Sequence, residues 1–223
     1  MLPAAATFWM PRRDELDEEG IGYFRDTWTI LDVPVRLARD LVRQERQIAS
    51  TVGALAVDDQ HFDALALAVE RGRCPASSDV NRIRPEHRTL LDDLIVDDDD
   101  YAPLEGLEIG VAGLVYALAT VRIIPAASCR GHSGTNTWSD RPVVLFASTR
   151  FRAMALQPLV QRTGCRFGID EARPDLLAVS GSSILDTMAL AEGVLDSRST
   201  FVQRRTRPPT RRGKPSSSQG QLF

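Results

Sequence analysis

The sequence predicts an α+β protein with a helical, acidic first half, then an α-β-β-α-β-β-α region around a small, mostly antiparallel sheet, and finally a disordered basic tail. Three observations predict it. Apolar residues recur at spacings of three and four through residues 1–100. Short Ile- and Val-rich runs bounded by turn residues appear only after that point. From Ser197 the chain becomes Arg, Pro, Ser, Thr and Gln, which cannot bury enough apolar surface to offset the entropy of ordering. The boundaries drawn are therefore 1–100, 101–196 and 197–223.

In the first region, Pro34 stands where a helix tolerates proline, and Ala38, Leu41, Val42, Ile48, Ala49, Val52 and Leu55 form one stripe behind it. Phe62, Leu65, Ala66 and Val69 form a second stripe, with Asp58 and Asp59 at its start and Gly72 past its end. A third helix opens at Pro85 with Leu90, Leu91, Leu94 and Ile95, and stops at the acidic run Asp97 to Asp100, read as a solvated loop. After Tyr101 a helix with the face Leu104, Leu107, Val111, Leu114, Val115 and Leu118 is expected. Strands then follow at Arg122 to Ser128 and Pro142 to Ala147, an antiparallel hairpin with a long polar connection. Thr149 caps a helix from Phe151 to Thr163 that Gly164 ends, with Pro158 inside it. Arg166 to Asp170 and Asp175 to Ser180 are two more strands, and a helix from Thr187 to Leu195 closes the region.

The chain has 223 residues with 27 basic and 30 acidic side chains, a balance that excludes a heavily basic nucleic-acid coat. The balance hides a gradient: net charge is −9 over residues 1–100, zero over 101–203 and +6 over 204–223. The acidic first region could dock a basic protein partner. Only Lys214 is a lysine, which reads as codon usage in a GC-rich bacterial or phage genome. Cys74, Cys129 and Cys165 are widely spaced and form no CxxC pair, so neither a disulfide framework nor a zinc ribbon is expected, and a cytoplasmic location fits. No signal segment is read at the start, and the longest uncharged stretch, between Glu108 and Arg122, has 13 residues, short of the roughly 20 a spanning helix needs. No membrane partner is expected.

The tail ends Gln219, Gly220, Gln221, Leu222, Phe223, placing two bulky apolar residues in a segment otherwise nearly free of them. A polar chain bearing one short apolar anchor is the usual build of a peptide ligand. Gln219 followed by Leu222 and Phe223 resembles the Gln-x-x-Leu-Phe form of the bacterial sliding-clamp-binding motif. That resemblance implies that Leu222 and Phe223 fill a hydrophobic pocket on the clamp while Gln219 makes polar contacts at its edge. Gly220 and Gln221 depart from the favoured Leu and Ser or Asp. Upstream, Arg204, Arg205, Arg207, Arg211, Arg212 and Lys214 form a cationic string able to neutralise phosphates of DNA without sequence specificity, or to fold back on the acidic body. The expectation is an accessory protein of DNA replication, repair, or a mobile-element or defence process, recruited to the clamp.

The rival expectation is an enzyme or small-ligand or nucleotide-binding domain using the polar loop Cys129 to Arg141. Loops on rigid strands gather functional side chains. Cys129 and His132, three apart at a strand end, could act as nucleophile and base, marked by a depressed thiol pKa, although no third orienting group is identifiable. Arg130, His132, Asn136 and Trp138 are the ligand-binding candidates, Trp138 either stacking on a ligand or anchoring the loop. Cys129 could equally be a small buried residue. A purely structural subunit is a third possibility. His61 is expected at an exposed helix start and His87 on a helix flank. With Cys74, Cys165, His61 and His87 scattered, no metal site or cofactor is expected. Asp97 to Asp100 lack an EF-hand pattern, and Gly181 reads as a turn rather than a phosphate cradle.

Overall fold

The computed structural model describes residues 1–11, 21–24, 27–30, 33–73, 75–95, 103–132, 138–169, 171 and 174–202. Among them are seven α-helices and a four-stranded antiparallel sheet, the α+β arrangement expected. Helix α1 (Val35–Leu55) buries its whole apolar stripe, and Pro34 sits at its N-cap. Helix α2 (Asp59–Glu70) is capped by Asp58, whose side chain accepts from the His61 amide at 2.8 Å, and Gly72 follows it in a left-handed conformation.

The helix expected at Pro85 is broken into pieces. A short α3 (Ser77–Val80) precedes a 3-10 turn (Pro85–His87) and a five-residue α4 (Arg88–Asp92). Of its stripe only Leu91 is buried and Leu90 is exposed, so little packing holds the segment as one helix. The helix expected from Leu104 begins instead at Ala112, as α5 (Ala112–Thr120). Leu104, Glu105, Gly106 and Gly110 all have positive φ, so the segment before α5 winds through left-handed turns. At Gly110 a Cβ would lie 2.4 Å from Ile184 Cγ2, so only glycine fits that crossing. Residues 112–119 are buried on every side, as befits a helix lying against both α1 and α7 (Ile184–Asp196).

One element runs against the helical reading of the first hundred residues. Strands β1 (Ile21–Phe24) and β2 (Thr27–Ile30) pair antiparallel with Ile21 opposite Ile30, and β2 lies beside strand β3 (Ile124–Cys129). The sequence signal was two β-branched and aromatic runs two residues apart, too short to register in a window tuned to helices.

The main sheet has the order β3-β4-β6-β5 and is made of β3 (Ile124–Cys129), β4 (Val143–Ala147), β5 (Arg166–Ile169) and β6 (Leu177–Ser180). Each strand alternates its side chains between the two faces. Val144, Phe146, Leu177 and Val179 join the helices in one core, which also takes in the stripes of α1 and α2, so both halves of the chain share it. Leu145, Ala147 and Ala178 face the other way and are covered by Trp9 and Met10, with Trp9 Nε1 donating to the Asp175 carbonyl at 3.0 Å. Between β4 and β5 runs α6 (Arg150–Arg162), capped by Thr149 and followed by Gly164 in the left-handed region, as expected. The folded body reaches beyond residue 196, because a 3-10 turn (Arg198–Phe201) buries Phe201 in the core. No helix among the described residues is long and apolar enough to cross a membrane.

Candidate functional site

The end of β3 is built to present a short polar segment. Cys129 is the last residue of the strand and pairs with Val143 on β4. Gly131 follows with φ +86°, and a Cβ there would lie 2.6 Å from the Arg141 backbone, so the returning chain can pass only over glycine. The His132 amide then donates to the Ser139 carbonyl at 3.1 Å, closing the neck of the loop.

Three acidic residues from outside the loop meet this segment. Glu108, in the turns before α5, accepts from the Arg130 amide at 2.5 Å through Oε2, while its Oε1 lies 3.0 Å from His132 Nε2. Asp63 on α2 lies 3.4 Å from Arg130 Nε and 3.9 Å from His132 Nδ1. Glu70, at the end of α2, accepts from the Ile109 amide at 2.7 Å and pairs with Arg130 Nη1. Helical spacing puts Asp59, Asp63 and Glu70 where α2 faces the β3 end. The imidazole therefore stands between two carboxylates, and Glu108 is the orienting group the sequence alone did not reveal.

Electrostatics divides these groups. Burial pushes Glu70 up to about 7, against the pull of Arg130 and the Ile109 amide. Burial also pushes the Cys129 thiol above its ordinary value, opposite to the depressed value expected of a nucleophile paired with His132. Cys129 is 6% exposed, a buried strand-end residue. Arg130 is buried as well, and its Nη2 has no hydrogen-bond partner among the described residues.

A cleft of about 290 Å³ opens beside this network, lined by Asp63, Arg130, His132 and Asp140 together with apolar Phe62 and Ile184. Of the expected ligand residues, Arg130 and His132 line it. Trp138 does not: it is half exposed, so it neither anchors the loop in a core nor borders the cleft. Asn136 lies outside the described residues, as do Cys74, Asp97 to Asp100 and the tail residues Arg204, Arg205, Arg207, Arg211, Arg212, Lys214, Gln219, Leu222 and Phe223.

His61, expected to be exposed, is fully buried: Nδ1 takes the Val57 amide at 3.3 Å and Nε2 lies 3.0 Å from the Asp79 carbonyl. The imidazole tethers α3 to α2. The helix start after Gly181 has no room for a phosphate, because the Asp186 carboxylate already accepts from the Ser182 and Ser183 amides at 2.8 and 3.1 Å.

No protein-family model, curated protein or solved structure matches the chain.

Proposed function

We propose that the folded body binds a small polar ligand in the cleft beside His132, and that His132 exchanges a proton with it. The observation that carries this reading is Arg130, a residue that lines the cleft and whose buried Nη2 has no hydrogen-bond partner among the described residues. A buried donor left unmade costs about 1–3 kcal/mol, more on a charged group, which favours a role completed by a ligand oxygen. Asp63 and Asp140 line the same cleft and accept hydrogen bonds, so hydroxyl or amine groups suit them. The fitting ligand presents a carbonyl or carboxylate oxygen to Arg130 and donors to the aspartates, with an apolar portion against Phe62 and Ile184. Phosphate-rich nucleotides suit these carboxylates less well. His132, held between Glu108 and Asp63, is placed to take or return the proton.

The test is calorimetric titration of the full chain with a panel of small hydroxy acids, amino acids and carboxamides. Arg130→Lys keeps a cation beside Glu70 but removes the fork that carries Nη2. It is expected to weaken binding about tenfold or more, a difference of about 1.4 kcal/mol or more. Equal affinity in that variant, or no binder in the panel, would overturn the reading.

A second reading concerns the tail and rests on Gln219, Leu222 and Phe223. Their match to the Gln-x-x-Leu-Phe pattern supports recruitment of the body to a bacterial sliding clamp, in DNA replication, repair or a mobile-element or defence process. The cations from Arg204 to Lys214 then add non-specific phosphate contacts, each weak interaction raising the local concentration for the other. A fluorescent peptide spanning Arg204 to Phe223 is expected to bind purified clamp saturably at physiological salt. The same peptide carrying Leu222→Ala and Phe223→Ala is expected not to. Equal binding by both peptides, or none by either, rejects recruitment.

A further inference from the structure

We propose that Glu108, Cys129 and His132 form a mononuclear zinc site at the head of the cleft. Each contributes one donor atom, an oxygen, a sulfur and a nitrogen, and these lie within 4.8 Å of one another. Tetrahedral zinc, with bonds of about 2.0–2.3 Å, needs its donors roughly 3.3–3.8 Å apart. Glu108 Oε1 and His132 Nε2 already stand 3.0 Å apart, so metal entry opens that pair by a few tenths of an ångström and draws the sulfur inward.

The surroundings of the three donors support a built site. Each ligand residue has an outer partner besides its neighbours in the cluster. The Arg130 amide holds Glu108 Oε2, leaving Oε1 for the cluster. Asp63 lies 3.9 Å from His132 Nδ1, placing a carboxylate behind the imidazole as metal-binding histidines commonly have. The Gly131 amide donates to Cys129 Sγ at 3.4 Å, a contact that favours a ligating thiolate. Gly131 itself, with its positive φ, supplies the turn that brings Cys129 and His132 to one point across only two intervening residues. Arg130 between them points elsewhere, into its pair with Glu70.

The donor set selects the metal. A thiolate beside an imidazole suits zinc and disfavours magnesium and calcium, which demand oxygen cages. Three protein ligands is the number that catalytic zinc sites keep, the fourth position going to water or substrate. His132 is both a ligand and a wall of the cleft, which sets the metal beside it. The site rests on the cleft reading above for the metal's use, though not for its binding; with zinc on Nε2, His132 serves as a ligand rather than as the proton-exchanging group, and the fourth position of the metal meets the cleft ligand in its place.

The test is cobalt titration of the full chain after removal of metal by chelator under reducing conditions. One equivalent of Co²⁺ is expected to give a thiolate-to-cobalt charge-transfer band and the intense ligand-field bands of a tetrahedral site, both displaced by Zn²⁺. Cys129→Ser should lose the charge-transfer band, while Cys74→Ser and Cys165→Ser should keep it. His132→Ala and Glu108→Gln, at partly exposed positions, should bind cobalt at least tenfold more weakly with circular dichroism unchanged, and they decide the matter if Cys129→Ser does not fold. A featureless titration of the full chain, a charge-transfer band that survives in Cys129→Ser, or unaltered cobalt affinity in His132→Ala and Glu108→Gln would overturn the site. Cobalt binding without any cleft ligand would sink the cleft reading alone, and an Arg130-dependent ligand without cobalt binding would sink the metal alone.

Discussion

Replacing Arg130 by methionine is expected to destabilise the folded protein by about 3–5 kcal/mol at pH 8, the usual cost of leaving one partner of a buried ion pair behind. The Arg130 side chain is 2% exposed and that of Glu70 8%, so neither charge can turn to water when the other is removed. Asp63 loses its cation at the same time. Glu70 also accepts the Ile109 amide, so the informative double variant is Arg130→Met with Glu70→Gln, which removes the orphaned charge and keeps an acceptor for that amide. Most of the lost stability should return in the double variant. Urea unfolding with unchanged m-values measures both, and a double variant as unstable as Arg130→Met would reject the buried-pair account. The cost should shrink towards pH 5, because Glu70, already lifted to about 7 by burial, takes up a proton more readily once the guanidinium is gone.

This network shows why the site was only half legible in the sequence. Cys129, Arg130 and His132 are adjacent in the chain and sit at the end of a recognisable strand, so a window of a few residues exposes them. Their partners Asp63, Glu70 and Glu108 lie far back in the chain and are ordinary acids on what reads as the polar sides of two helices. Only the packing of α2 and the turns before α5 against the β3 end brings them together, and no local pattern encodes that. The same limit explains His61, whose burial depends on the Asp79 carbonyl 18 residues away.

Elements with period and caps were legible. The stripe of α1, the Asp58 and Thr149 caps and the two strand pairs all appear where propensity and pattern agree. Elements set by tertiary contact were not. The start of α5 is fixed by left-handed turns at Leu104, Glu105 and Gly110, which the apolar spacing through the same residues masks. Trp138 was ambiguous for a related reason: its neighbours in sequence are polar, and the fold leaves it half exposed rather than covering it.

Glu45 is a sequence signal as clear as any cap, and it carries a large pH effect on the stability of this fold. It stands in the middle of the α1 stripe, where the periodicity calls for an apolar residue, and it is fully buried. Its Oε1 accepts the Gly110 amide at 2.8 Å and its Oε2 the Gly113 amide at 3.1 Å, capping α5 from a neighbouring helix. A Cβ on residue 113 would come within 2.4 Å of Oε2, so Gly113 is what lets the carboxylate approach. Those amides favour the charged form, as does the positive end of α5, yet burial outweighs them and lifts the pKa from 4.5 to about 7. Between those values the folded chain therefore holds a proton that the unfolded chain releases. Stability falls as pH rises through that window, by up to about 1.4 kcal/mol per pH unit where the difference is one full proton. Glu70 adds a slope of the same sign. Glu45→Gln, uncharged at every pH, should flatten the Glu45 share of the slope, whereas Glu45→Ala, leaving both amides buried without an acceptor, should cost about 2–4 kcal/mol even at pH 5. Urea midpoints from pH 5 to 8 distinguish these outcomes: parallel curves for the wild type and Glu45→Gln would mean that burial does not hold a proton on Glu45, and that the amides of Gly110 and Gly113 keep it charged.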